Sequence, residues 1–372
     1  MIAVQARSVA FFDYRQLFLP EEEELTDIFR DVGRRGAFIL QGDLARFEAH
    51  LAEFLEARRV LGVGNATDGL LIGLRGAGIR PGDEVIFCSH TMVATAAAIH
   101  FAGAVPVPVD CRADHLIDPA AVEAAITPRT RAILPTQLNG RTADMEALSS
   151  LAARRGLIVI EDAAQALGSK FKGRSAGTFG AAAAISFFPA KVLGCLGDGG
   201  AVVAGNDVTF EKMCQLRDHG RSSQGEIVSW GLNSRLDNLQ AAILDRRLAR
   251  LTAAIDRRRA IARLFRQALE DLPELLLPPG PDHDPDHFDV YQNYEIEAER
   301  RDALRDHLQS RGIGTAIPWG GKLVHQWERL NLRASLPFTE KIMTRSLLLP
   351  MNTALADADA SYVAECVREF YR

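Results

Sequence analysis

The sequence of 372 residues contains no long uncharged apolar run. No stretch of about 20 strongly apolar residues marks a membrane span. The opening segment, "MIAVQARSVAFFDYRQLFLPEEEEL", has neither an extended apolar core nor a cleavage signal, so no secretory peptide is expected. Basic residues are not in excess: 43 Lys and Arg stand against 48 Asp and Glu, a net charge of −5. That balance argues against a nucleic-acid partner, and the short basic runs "RDHGR" and "DRRLARL" read as a loop flank and a solvated helix face. Cysteines are few: Cys88, Cys111, Cys195, Cys214 and Cys366 are odd in number and form no CxxC pair. Reduced thiols in a cytoplasmic protein are the reading. Internal repeats and low-complexity tracts are missing too.

What is present is an ordinary globular composition, 47% hydrophobic and 24% charged. From about residue 59 to 205 the runs "RRVLGVG", "DEVIFCS", "VPVPVD", "TRAILPTQ" and "GLIVIED" read as strands. Helical patterns such as "TDGLLIGLRGAG" and "ADMEALSSLAARR" separate them, which predicts a mostly parallel sheet covered on both faces. "AAAAISFF" and "GGAVVAG" add two further strands. A long helical stretch is predicted from roughly Leu236 to Leu269, then a turn-rich linker, "LPPGPDHDPDHFDV", and a small α+β unit. The expected division is 1–249 for a large ligand-binding domain and 250–372 for a small C-terminal one.

The segment "SFFPAKVLGCLGDGG" carries the strongest chemical signal. From Ser175 to Gly197 the only charged side chain is Lys191. A lysine stripped of water must pair, lose its proton or react, and its free amine is suited to condensing with an aldehyde. If that aldehyde is pyridoxal 5'-phosphate (PLP), the chain must also supply an acid for the pyridine nitrogen, an anion site and a surface for the ring. Asp162, at the end of "GLIVIED", stands at the carboxyl edge of a predicted parallel strand, where ligands bind in such sheets. Gln165 follows as a partner for the ring hydroxyl. In "GVGNATDGL" the amides of Ala66, Thr67 and Asp68 and the Thr67 hydroxyl are expected to face an anion at a helix N-terminus, with Ser186 adding a second hydroxyl.

Six segments in order, "GNATDGL", "PGDEVIFCSHTMVAT", "AITPRTRAILPTQLNGRTADMEAL", "IEDAAQALG", "SFFPAKVLGCLGDGGAVV" and "GLNSRLDNLQAAIL", resemble the sugar aminotransferases of the DegT/DnrJ/EryC1/StrS family. The resemblance implies an aspartate-aminotransferase-like α/β fold (PLP fold type I), with a mixed, mostly parallel sheet and a small α+β domain. It implies PLP as cofactor and L-glutamate and a nucleotide-linked keto-sugar as substrates. By the same resemblance Lys191 and Asp162 are catalytic, and Ala66, Thr67, Asp68, Met92, Gln165 and Ser186 bind the cofactor. Asn233, in a loop that crosses to the second subunit of a homodimer, would bind the partner's phosphate. Arg235, Trp319 and His325 are the expected substrate contacts.

The chain departs from the family pattern at Met92, where an aromatic ring usually covers the cofactor, and at Leu167, where a histidine is common. Pro318 and Trp319 replace a His-Tyr pair. "GDGGA" and "NSRLD" resemble members that aminate C-3, whereas C-4 members more often read "GEGG" and "YRMT". A 3-keto sugar is therefore expected, with a 4-keto sugar as the alternative. Dehydratase relatives carry histidine at the lysine position, which Lys191 excludes, and a non-catalytic regulatory relative has no need of the whole set. No metal is expected. "HDPDH" lies in the linker, and the glycines of "GDGGAVVAG" open no helix as a dinucleotide fingerprint requires.

Overall fold

A computed structural model describes residues 7–372. Five strands, β1 (Arg59–Val63), β2 (Glu84–Cys88), β3 (Val105–Val109), β4 (Thr130–Leu134) and β5 (Ile158–Asp162), alternate with helices Ala66–Gly76, Val93–Phe101, Pro119–Ala125 and Met145–Arg155. A small hairpin, β6 (Lys170–Phe171) and β7 (Arg174–Ser175), precedes β8 (Ala182–Ser186) and β9 (Gly200–Ala204). The seven long strands form one sheet in the order β1-β9-β8-β5-β4-β2-β3. Only β9 is antiparallel to its neighbours, β1 and β8.

Strands β2 and β8 are buried along their whole length because both faces of the sheet are covered. Val85 and Phe87 of β2 join one core cluster, Ile86 and Cys88 another. Small residues bring helix Ala66–Gly76 close to the sheet. A Cβ on Gly69 would lie 3.3 Å from the Ala184 Cβ, and one on Gly73 would lie 3.2 Å from the Ala182 Cβ. This close seating aims the helix N-terminus at the carboxyl ends of β5 and β8.

The helical stretch predicted from Leu236 to Leu269 is present and consists of two helices, Asn238–Leu248 and Leu251–Leu269. Arg250 between them leaves helical geometry (φ −109°, ψ 3°), and Arg247 and Arg250 pair with Glu21 and Glu24 of the N-terminal region. The linker is less free than its composition suggests. It contains β11 (His287–Phe288), which pairs with β6, and Arg141 binds both Asp284 (2.7 Å) and Asp289 (2.6 Å). Strands β10 (Leu275–Leu276), β12 (Tyr294–Ala298) and β13 (Ser346–Leu349) form the second sheet, packed with helices Arg301–Ser310 and Asp357–Tyr371. Val9 bridges to Ile313 and belongs to this C-terminal core, although it lies in the N-terminal segment. Among the described residues no helix is long and apolar enough to cross a membrane.

Next to Asp162, the fully buried Glu161 organises the return from β7 to β8. It accepts from Gln137 Nε2 (2.8 Å) and from the amides of Gly177 (2.8 Å), Phe179 (2.6 Å) and Gly180 (3.1 Å). Glu161→Gln sets an NH2 group against two of these donors. The expected loss is at least about 2 kcal/mol, since each stranded buried donor costs ~1–3 kcal/mol. A urea midpoint equal to that of the native protein would contradict this account.

Candidate active site

A cavity of about 630 Å³ opens at the carboxyl ends of β5 and β8. Its wall includes Ala66, Thr67, Asp68, Met92, Asp162, Gln165, Ser186, Lys191 and Trp319, which sequence reasoning had drawn from five separate segments. A second cavity of about 750 Å³ touches the other side of Lys191, but Asp162 does not line it.

Lys191 sits in the irregular connection between β8 and β9. Burial lowers its pKa to about 8, against the pull of the Asp162 carboxylate, which favours the ammonium. Asp162 shows the complementary effect: burial raises its pKa, while the Thr95 hydroxyl, the Ala164 amide and Lys191 hold it down. Thr95 Oγ1 donates to Asp162 Oδ2 at 2.7 Å. Since that hydroxyl has one proton, Thr91 must donate to Thr95 (2.9 Å), and Thr136 to Thr91 (2.9 Å). The three hydroxyls thus form a one-directional chain that ends on the carboxylate. Sequence reasoning missed it; the only trace was the four-residue spacing of Thr91 and Thr95 in "TMVAT".

The anion site is built at the start of helix Ala66–Gly76. Asn65 caps the helix, its Oδ1 accepting from the Asp68 amide at 2.9 Å. The Asp68 amide is therefore taken, contrary to expectation, because the cap needs it. The Asp68 carboxylate instead accepts from Ser234 Oγ (2.6 Å) and holds the loop around Asn233. Among the described residues no protein group accepts from the Ala66 or Thr67 amides. These two donors, with the Thr67 and Ser186 hydroxyls, remain for a bound phosphate. Gly200 explains the glycines after the lysine: a Cβ there would lie 2.6 Å from the Asn65 carbonyl carbon and 2.7 Å from the Ala66 nitrogen. Only glycine lets β9 pass under the anion-binding turn.

Gln165 Oε1 accepts from the Asn139 amide at 2.8 Å, which leaves its NH2 group to donate toward the cavity. Asn139, in the left-handed region (φ 55°), also donates through Nδ2 to Glu295 Oε2 (2.5 Å). The Asn-Gly pair at 139–140 was a turn signal, but its link to the site was not legible. Met92 is half exposed at the cavity mouth, its Sδ accepting from the Ala94 amide.

The remaining expected contacts are more scattered. Trp319 lines the cavity. His325 does not: it is buried, with Nδ1 bonded to Ser89 Oγ (2.7 Å) and Nε2 to Glu340 (3.1 Å). Both ring nitrogens are occupied within the fold, so it offers a substrate nothing. Asn233 is exposed and outside the cavity, and Arg235 pairs with Asp218 at 3.1 Å.

Among the described residues one cluster has metal-like composition, His90, His115 and Glu295. Glu295 lies 3.0 Å from His90 Nε2 and 3.2 Å from His115 Nδ1, and Glu297 lies 3.3 Å from His115 Nε2. Burial works against charge on His115, yet the two carboxylates raise its pKa to about 10. Both ring nitrogens of His115 are engaged by carboxylates, so the cluster is a buried hydrogen-bonded network of His and Glu side chains. The linker motif is no better placed, since Asp284 pairs with Arg141 and with His287.

An amine of lowered pKa, an oriented buried carboxylate, an amide donor and a helix N-terminus with two free amides fit the aldehyde, pyridinium, ring oxygen and phosphate of PLP. The DegT/DnrJ/EryC1/StrS aminotransferase family model matches residues 20–368. The chain is 41% identical over 374 residues to dTDP-3-amino-3,4,6-trideoxy-alpha-D-glucose transaminase of Streptomyces venezuelae, covering 97% of this chain and 96% of that one. It superposes on the crystal structure of S. venezuelae DesV in complex with a ketimine intermediate with TM-score 0.94 and 41% identity, covering 98% and 99% of the two chains. A third similar protein, NtdA of Bacillus subtilis with bound cofactor PMP, gives TM-score 0.90 and 29% identity, with coverage of 99% and 86%. The protein belongs to the DegT/DnrJ/EryC1/StrS family and is a PLP-dependent aminotransferase of fold type I.

Proposed function

We propose that the enzyme moves the amino group of L-glutamate to a 3-keto sugar carried on a nucleotide, for amino-sugar biosynthesis in the cytoplasm. The observation that carries this reading is Lys191 and Asp162 together in one cavity, each with a pKa displaced by burial. When bound there, PLP would supply an electron-accepting ring for the transfer of the amino group. Lys191 anchors the cofactor and then moves the proton at the reacting carbon. Asp162, held by the threonine chain, keeps the pyridine nitrogen protonated. The Ala66 and Thr67 amides and the Thr67 and Ser186 hydroxyls hold the phosphate, Gln165 donates to the ring oxygen, and Met92 packs at the ring.

Choice of a sugar is supported by the cavity wall, where Lys191 is the only cation among the described residues. A neutral sugar ring suits such a wall. Trp319 is the proposed sugar contact. For C-3, the support is "GDGGA" and "NSRLD" together with the 3-amino product in the name of the S. venezuelae relative. The exposed Asn233 has no task in its own cavity, which supports a homodimer in which it serves the partner's phosphate, with Arg235 beside it. Five free cysteines support a reducing compartment.

In the apo protein, acylation of Lys191 followed by mass spectrometry is expected to rise with pH around a midpoint near 8, because only the neutral amine reacts. Asp162→Asn moves that midpoint lower still, since the carboxylate that favours the ammonium is gone. An ordinary lysine midpoint in the native protein contradicts the assignment, as does borohydride reduction of the yellow holoenzyme that labels another lysine.

Mixing inactive Lys191→Ala chains with inactive Asn233→Ala chains is expected to restore activity, because hybrid dimers keep one site free of both changes. Well-mixed hybrids without activity remove the shared site.

With glutamate as donor, matched 3-keto and 4-keto nucleotide sugars are expected to differ in kcat/KM in favour of the 3-keto compound. The reverse preference overturns the C-3 assignment and leaves the aminotransferase chemistry standing.

A further inference from the structure

Lys191 stands in a connection with no ladder to hold it; its own amide closes a turn onto Phe188 O (2.8 Å). Its flanking peptide groups, Ala190 C=O and Val192 N–H, have no backbone partner among the described residues. One side chain serves both. Gln292 Nε2 donates to Ala190 O at 2.9 Å, and Gln292 Oε1 accepts from Val192 N at 2.8 Å. A side-chain amide matches a peptide group in having one donor face and one acceptor face. Gln292 therefore straddles Lys191 as a neighbouring strand would.

Gln292 is itself firmly held. It is buried, between β11 and β12, next to Tyr291 in the left-handed region (φ 51°). Arg258, buried and with no carboxylate beside it, donates through Nη1 to the carbonyls of Tyr291 (3.0 Å), Gln292 (3.2 Å) and Met351 (3.2 Å). On the other side, Gly140 O accepts from Val290 N, and a Cβ on Gly140 would lie 2.8 Å from the amides of Tyr291 and Gln292. The segment is gripped on two sides, and its one long polar side chain points at the lysine's root.

We propose that Gln292 is a positioning residue for Lys191, fixing the peptide planes on either side of it so that the amine reaches the reacting carbon. This rests on the reading of Lys191 as the residue that bears the cofactor. Four rotatable bonds separate the lysine backbone from its amine, so a loose root spreads the amine over several positions. Misplacement by about 1 Å can cost ~100-fold in rate.

Gln292→Met keeps the side-chain volume and removes both bonds; Gln292→Glu keeps the acceptor for Val192 N and turns an oxygen against Ala190 O. Both are expected to fold, as checked by circular dichroism, and to lose about tenfold or more in kcat with the sugar KM within about twofold. In apo Gln292→Met, the pH midpoint for Lys191 acylation is expected to shift, because the amine no longer holds one position in the pocket opposite Asp162. A purely structural Gln292 would lower the melting temperature and leave kcat and that midpoint at native values, and this result would overturn the proposal. The acylation comparison uses protein without cofactor, whereas borohydride mapping of the native holoenzyme tests separately whether Lys191 bears it.

Discussion

The partial burial of Lys191, opposite a carboxylate that is itself buried, is the constraint around which the molecule is arranged. A hydrated lysine stays protonated well above neutral pH and is a poor nucleophile. Here burial brings its pKa down to about 8, and Asp162 limits the fall. Each group stabilises the charged form of the other, so neither is held by desolvation alone. The threonine chain adds direction: it ends on Asp162 Oδ2 and fixes the plane of the carboxylate.

Such a pair needs a place where two side chains converge and backbone donors remain free. The carboxyl edge of the sheet provides it. Asp162 ends β5, Lys191 follows β8, and the Ala66 and Thr67 amides stand at a helix start seated close by small residues. Gly69, Gly73, Ala182 and Ala184 on one side and Gly200 on the other have little chemistry of their own. Their smallness lets the anion site and the lysine share one cavity.

Apolar residues of the C-terminal part join the cores of the large sheet, and polar contacts reach from it to the site. Asn139 joins Gln165 to Glu295, Arg141 ties the linker to the segment after β4, and Gln292 reaches the backbone around Lys191. Buried polar groups of this kind tolerate little displacement, because a broken bond strands a donor or acceptor away from water. The C-terminal half thereby acts on the site through oriented hydrogen bonds.

The sequence by itself determined the sheet, since strands buried on both faces read as apolar runs whatever they pack against, and turn residues mark their ends. It also marked the candidates for the chemistry, since one lysine in an uncharged stretch and one aspartate at a strand end are visible in local pattern, and six segments in order carry the family resemblance. Tertiary structure decided what depends on distant partners. The break at Arg250 follows contacts with Glu21 and Glu24, and His325 turns inward because Ser89 and Glu340 take its nitrogens. The Asp68 amide is claimed by its own cap, a competition between local acceptor and ligand that residue types do not reveal. Gln292 stands about a hundred residues from the lysine it braces, and hydrogen bonds across that separation leave no periodicity in the chain.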